Sequence, residues 1–158
     1  MLRPLIFVSV LIVGAAPASA DCDRFKWSVA KEREAFATPQ PLPSVSDSAV
    51  VGIGYAVTLM QGLALPTKPE RDSTPGSYAA VIDVNKLEAG RYQITLSRDA
   101  WIDVAQGGRS VKSSDFSGQH DCPTVRKSVR FMLEAGAATI EISNAQADGL
   151  NVAIEPAP

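Results

Sequence analysis

The chain predicts a mainly β protein, an antiparallel β-sandwich of jelly-roll type with about seven or eight strands and one N-terminal helix. Three observations carry this prediction. After Val50, apolar and polar residues alternate with a period of two through most of the chain. Turns bearing glycine or proline interrupt those runs at short intervals. Only one segment, near the front, spaces its apolar residues as a helix does. Many short strands with one apolar face each are buried by stacking two sheets face to face.

The opening "MLRPLIFVSVLIVGAAPASA" joins a positive Arg3, an apolar run from Leu5 to Val13 and small residues at Ala18 and Ala20. That pattern predicts a secretory signal peptide over residues 1–20. The apolar run is well short of the ~20 residues that span a bilayer. Cys22 follows Asp21 rather than a small residue, which argues against a lipidated first cysteine. The mature chain is therefore expected to start at Asp21, to be periplasmic or secreted, and to form a single domain over 21–158. It would carry 14 basic against 17 acidic residues, a net charge of −3, because the leader holds Arg3 and no acid. So mild a charge points to no nucleic-acid partner and no anionic-membrane surface, and no later run is long enough for membrane insertion.

Two cysteines in an exported chain are expected to pair, here Cys22 with Cys122. The chain-entropy model assigns ~4.7 kcal/mol to closing a ring of about a hundred residues. The pairing bears on "SGQHDCPTVRK" (Ser117–Lys127), where the chain's one histidine, His120, stands beside Asp121. A bonded Cys122 is neither a thiolate nor a metal ligand. His120 and Asp121 then lack the third group that orients a catalytic base.

"DRFKWSVAKEREAFATP" predicts a helix from about Arg24 to Ala37, with Phe25, Val29 and Phe36 on one face and Pro39 as its stop. "PQPLPSVSDS" reads as a loop. In "VVGIGYAVTL", Val51, Ile53, Tyr55, Val57 and Leu59 alternate with Gly52, Gly54, Ala56 and Thr58. This is a strand whose small face suits a closely packed cover such as the helix. After the proline-rich "LPTKPERDSTPGS" come the strands "YAAVIDV" and "RYQITLS", the latter with Tyr92, Ile94 and Leu96 on one face.

"AWIDVAQGGRSVKS" predicts a hairpin closed by Gly107-Gly108 in a type I′ turn. Gln106 then faces Arg109, Val104 faces Val111 and Asp103 faces Lys112. Ile102 and Val104 point inward, while Trp101, Asp103 and Lys112 share the opposite face. "SVRFMLEAGAATIEIS" reads as a second hairpin, setting Val129, Phe131 and Leu133 against Ile140 and Ile142. "GLNVAIEP" supplies the last strand, closed by Pro156.

The stretches "AGRYQITLS", "WIDV" and "FMLEAGAATIEIS" resemble the small β-sandwich modules of secreted bacterial proteins, of the jelly-roll carbohydrate-binding and pre-peptidase C-terminal kinds. The likeness runs from Gly90 to Ile154 and implies fold more than function. An early "C…W…E" helix, "WIDV" and "DCP…RKSVRF" also resemble an uncharacterised family of small exported bacterial proteins, some described as homogentisate dioxygenases. That activity is not carried over. A non-haem iron dioxygenase needs two histidines and a carboxylate around its metal, and this chain has one histidine.

Trp101, flanked by Asp99 and Asp103, is the residue set best suited to a ligand. An exposed indole stacks on the C–H face of a sugar and carboxylates accept its hydroxyls, with Lys112 as a third contact. The competing expectation places Trp101 in the core, as large aromatics usually are, with Asp103 only pairing with Lys112 across the hairpin. Lys127 is expected at the sandwich rim, meeting water or an acid such as Asp115 or Asp121. "DFSG" and "QHD" offer two carboxylates, short of the six or more oxygens of a calcium site. Glycine-rich phosphate loops, zinc spacings and the GxSxG elbow are absent.

The sequence therefore points to an exported, non-catalytic β-sandwich binding or accessory protein of the cell envelope that needs no cofactor and no metal. A saccharide would sit on Trp101, Asp103 and Lys112; an envelope protein would use an exposed strand edge or the Leu65–Gly76 loop. The alternative is a metal-dependent hydrolase or oxygenase centred on His120, with Asp121 and Asp115. A purely structural subunit is the third expectation.

Overall fold

The computed structural model describes residues 22–42 and 48–158; the predicted leader and part of the predicted loop before Ser48 lie outside the described residues. A 3₁₀ turn, Cys22–Arg24, precedes the helix α1, Ala30–Ala35. Eleven strands follow among the described residues: β1 Gln40–Leu42, β2 Gly54–Thr58, β3 Met60–Gln61, β4 Tyr78–Leu87, β5 Gly90–Leu96, β6 Trp101–Gln106, β7 Arg109–Val111, β8 Ser113–Gly118, β9 Lys127–Leu133, β10 Gly136–Ala145 and β11 Gly149–Pro156. They form a six-stranded sheet, β1-β2-β11-β5-β9-β8, and a five-stranded sheet, β3-β4-β10-β6-β7. Without the edge strands β1, β3 and β8, the pair is β2-β11-β5-β9 facing β4-β10-β6-β7. That order is the double Greek key of a jelly roll, as the sequence predicts.

The alternation explains the core. Ile82 and Val84 of β4, Ile94 and Leu96 of β5, Ile102 and Val104 of β6, Phe131 of β9, Ile140 and Ile142 of β10, and Val152 and Ile154 of β11 are all buried in one cluster. Apolar side chains fill the space between the sheets. The polar side chains therefore lie mainly on the outer faces, edges and ends.

The Gly107-Gly108 turn forms as expected, with φ of 56° and 74°, and pairs Gln106 with Arg109 and Val104 with Val111. The pairing stops there. β7 ends at Val111, and β8 starts at Ser113 in the other sheet. The chain changes sheets at Lys112, which carries Lys112 away from Asp103.

The second predicted hairpin is a corner. β9 lies between β5 and β8, whereas β10 lies between β4 and β6 in the opposite sheet. Val129, Phe131 and Leu133 share one buried core cluster with Ile140 and Ile142, but from opposite sheets rather than along a ladder. Alternation specifies which face turns inward and is silent on which strand lies alongside.

The predicted helix over 24–37 is shorter, confined to Ala30–Ala35. Its first part is held against the outer face of the six-stranded sheet instead. The Lys26 backbone N–H donates to Ser117 Oγ at 3.1 Å and Trp27 Nε1 donates to Ser128 Oγ at 3.0 Å. A backbone donor engaged by β8 cannot also serve a helical turn. The predicted apolar face survives this change: Phe25, Val29 and Phe36 are buried with Cys22, Cys122, Val125 and Ala153 in a second cluster. The disulfide Cys22–Cys122 is formed, with the two Cα atoms 4.7 Å apart. A Cβ on Gly54 would collide with the Ala35 carbonyl, so the small face of β2 does lie under the helix. The helix stops at Ala35, ahead of the expected stop at Pro39, and Gln40–Leu42 then pairs parallel to β2 within the stretch expected to be a loop.

Beneath this segment runs a buried polar seam. Glu32, fully buried, accepts hydrogen bonds from Gln93 Nε2 and from Thr95 Oγ1. With the Thr95 proton on Glu32, the Ser128 hydroxyl is the donor to Thr95 Oγ1 at 2.9 Å. The Arg130 guanidinium lies 4.1 Å from the centroid of the Trp27 ring. Gln93 and Thr95, the polar positions of "RYQITLS", thus face the N-terminal segment rather than water. Glu155, also buried, has its carboxyl pushed above the usual range, first by burial and then by the charge of Glu32.

Candidate functional site

The five-stranded sheet turns Trp101, Asp103 and Glu141 to its outer face, where Asp103 and Glu141 are direct cross-strand partners. The proline-rich loop lies over them. Thr67 donates to Glu141 Oε1 through its N–H at 3.0 Å and its hydroxyl at 2.8 Å, and the Glu70 N–H reaches Asp103 Oδ1 at 3.5 Å. Asn144, the one non-glycine residue with positive φ among the described residues, accepts from the Thr74 N–H at 2.7 Å and donates to the Asp72 carbonyl. Glu141 is fully buried in consequence, and its second oxygen has no partner among the described residues. The loop is a strap across the sheet.

Trp101 is half-buried under that strap. Its Nε1 donates to Asp103 Oδ1 at 3.2 Å. Two cations pack on its ring, the Arg71 guanidinium at 4.9 Å and Lys127 Nζ at 4.7 Å from the centroid. The indole is therefore already stacked, and a sugar on it would have to displace Arg71 or Lys127. Burial pushes the Asp103 carboxyl above its usual range, and the Trp101 hydrogen bond offsets part of that rise. The predicted set of Trp101, Asp103 and Lys112 is thus brought together only in part: among the described residues no ion pair joins Asp103 to Lys112, which is exposed beyond β7.

Lys127 supplies the cation that Lys112 does not. Inward-facing at the start of β9, it sits at the rim, spans to the other sheet and donates to the Ala100 carbonyl at 3.1 Å. Burial lowers its pKa below the usual lysine range, while the nearby Asp99 pulls it back up. The acids expected near it are engaged elsewhere: Asp115 with Lys26 at 2.8 Å, and Asp121 with Arg24 at 2.8 Å. The Lys26 hydrogen bond holds the Asp115 carboxyl below its usual range.

His120 and Asp121 do not form a pair. Arg126 Nη2 lies 3.0 Å from His120 Nε2 and 3.4 Å from Asp99 Oδ2. A guanidinium only donates, so Nε2 is the acceptor in that contact. His120, Asp121 and Asp115 thus have three separate cationic partners. Among the described residues no group of three or more His, Cys, Asp or Glu side chains is placed to hold a metal ion.

His120 and Arg126 belong instead to a polar cleft at this end of the sandwich. Three connections converge there: β5 to β6, β8 to β9 and β10 to β11. They enclose a cleft of about 450 Å³ lined by Ser97, Arg98, Asp99, His120, Arg126 and Gln146, over a floor that includes Leu150. A second cleft of about 520 Å³ shares Ser97, Arg98, Ala147, Gly149 and Leu150 with the first and adds Thr58, Asp148 and Asn151. The two make one groove with Arg98 at its middle. Sequence reasoning missed Arg98 and Arg126, because each lies in a turn and nothing local shows that these turns meet.

No helix among the described residues is long and apolar enough to cross a membrane. Comparison with protein-family models, with curated proteins and with solved structures finds no match to this chain.

Proposed function

We propose that the chain is an exported, non-catalytic binding module of the cell envelope, periplasmic or secreted, that takes a saccharide in the groove at the disulfide-bearing end. The observation that carries this reading is the groove itself: two adjoining clefts of about 450 and 520 Å³ lined by hydroxyl, amide, guanidinium and carboxylate groups. Such groups orient a polar ligand. Nothing around them is arranged as a nucleophile with its base, since His120 is turned onto Arg126. The disulfide and the packed jelly roll support an exported setting, where such a cross-link persists. The saccharide contacts move from Trp101, whose ring two cations cover, to the neighbouring groove.

A thermal-shift screen of the oxidised protein against saccharides, cell-wall fragments and divalent metals tests this. A ligand that binds only the folded state raises the melting temperature. A saccharide that stabilises the protein, and loses that effect when Arg98 is replaced, supports the reading. Stabilisation by a metal alone would overturn it in favour of chemistry at His120.

A further inference from the structure

The charges around the groove narrow the ligand class, an inference that rests on the binding-module reading. Arg98 is exposed, lines both clefts and has no hydrogen-bond or ion-pair partner among the described residues. Arg126, in the first cleft, shares its guanidinium between Asp99 and His120. Just behind, Lys127 and Arg71 lie on Trp101. This end of an acidic chain, net −2 overall, thus gathers four basic side chains, Arg98, Arg126, Lys127 and Arg71, against Asp99, Asp103 and Asp148.

The planar guanidinium fork matches a carboxylate or phosphate. Acids are interleaved with it: Asp99 in the first cleft, and Asp148 in the second. A run of negative charges along the groove would meet those carboxylates and be repelled. A ligand with one carboxylate among hydroxyls would not, because Asp99, Asp148, Ser97 and Gln146 all accept from hydroxyl groups. The first cleft is built mainly from turns, and the second also from residues of β1, β2 and β11.

We propose that the groove binds an oligosaccharide bearing a single uronic-acid unit among neutral sugars, with that unit's carboxylate on Arg98 and Arg126 and hydroxyls on Asp99 and Asp148. Arg98 lines both clefts and Arg126 the first, so sugar units extend from that carboxylate along the groove.

The experiment is titration calorimetry of the oxidised protein with an oligosaccharide bearing a single uronic-acid unit and with the same oligosaccharide after its carboxyl group is reduced to an alcohol. Poly-glutamate and inorganic phosphate serve as the polyanion and simple-anion probes. The uronate is expected to bind about 10- to 100-fold more tightly than its reduced form, the range for a charge-assisted hydrogen bond. Arg98→Ala should abolish that preference, and Arg98→Lys should restore only part of it. Because Arg98 is exposed and unpartnered, both variants should keep the wild-type melting temperature.

Equal affinity for the two saccharides would overturn this inference while leaving a saccharide-binding module standing. Binding of poly-glutamate or phosphate in place of the uronate would also overturn it, as would a preference that survives in Arg98→Ala. Failure of every saccharide, here and in the thermal-shift screen, would sink both readings together.

Discussion

Replacing both cysteines, Cys22→Ala with Cys122→Ala, tests how the N-terminal segment contributes to stability. The bridge joins residues separated by 100 positions. The chain-entropy model gives ~4.7 kcal/mol for such a ring, much of the 5–15 kcal/mol typical of a whole domain. The structure says why the full amount is expected to appear. The bridge ties a segment with its own buried cluster of Phe25, Val29 and Phe36 to the loop between β8 and β9. Without it, what remains is that cluster and a few hydrogen bonds, among them Trp27 to Ser128 and Gln119 Nε2 to the Arg24 carbonyl. With a urea m-value of about 2 kcal/mol/M, the loss corresponds to a midpoint about 2 M lower. Equilibrium urea unfolding followed by far-UV circular dichroism and by tryptophan fluorescence measures it. A drop smaller than ~0.5 M urea, about 1 kcal/mol, would refute the chain-entropy argument and mean that non-covalent contacts hold the segment unaided.

Three other perturbations probe separate parts of the fold. Gly54→Val forces a side chain into the Ala35 carbonyl, so a loss of about 1–3 kcal/mol or more is expected in denaturant unfolding; unchanged stability would mean the helix can lift off β2 at little cost. Trp101→Ala removes the donor to Asp103 and the ring beneath Arg71 and Lys127. About 1–3 kcal/mol should be lost, whereas a loss above ~4 kcal/mol would mark Trp101 as core.

Glu155→Gln tests the buried seam through pH. The folded chain holds the Glu155 proton to higher pH than the unfolded chain, because burial and Glu32 raise its pKa above the ordinary 4.5. Its contribution to stability is therefore present below the unfolded carboxyl range and is lost as pH rises through the raised value. The variant should be more stable than wild type at neutral pH, with a flatter profile in urea midpoints measured from about pH 4 to pH 8. Parallel profiles would place the proton elsewhere.

The polar seam shows how a sequence pattern can be read correctly by face and still be misjudged by environment. Gln93 and Thr95 alternate with Tyr92, Ile94 and Leu96 as a solvent face would, yet both are buried. Their cover is a segment more than sixty residues earlier in the chain, so no local window contains it.

What the sequence determined alone is the set of local properties. Period-two alternation decided the inward faces of β5, β6, β9, β10 and β11, because neighbouring side chains on a strand point to opposite sides whatever lies beyond. Gly107-Gly108 decided its turn, because both residues carry positive φ. Two cysteines with no other partner decided the cross-link. The tertiary structure alone decided adjacency: that β9 and β10 form a corner, that Lys112 leaves Asp103 and Lys127 takes its place on Trp101, and that Arg98 and Arg126 meet in one groove. A hairpin and a corner share the same local alternation. They differ only in contacts made by distant strands, and the groove exists only where turns and strands far apart in the chain converge.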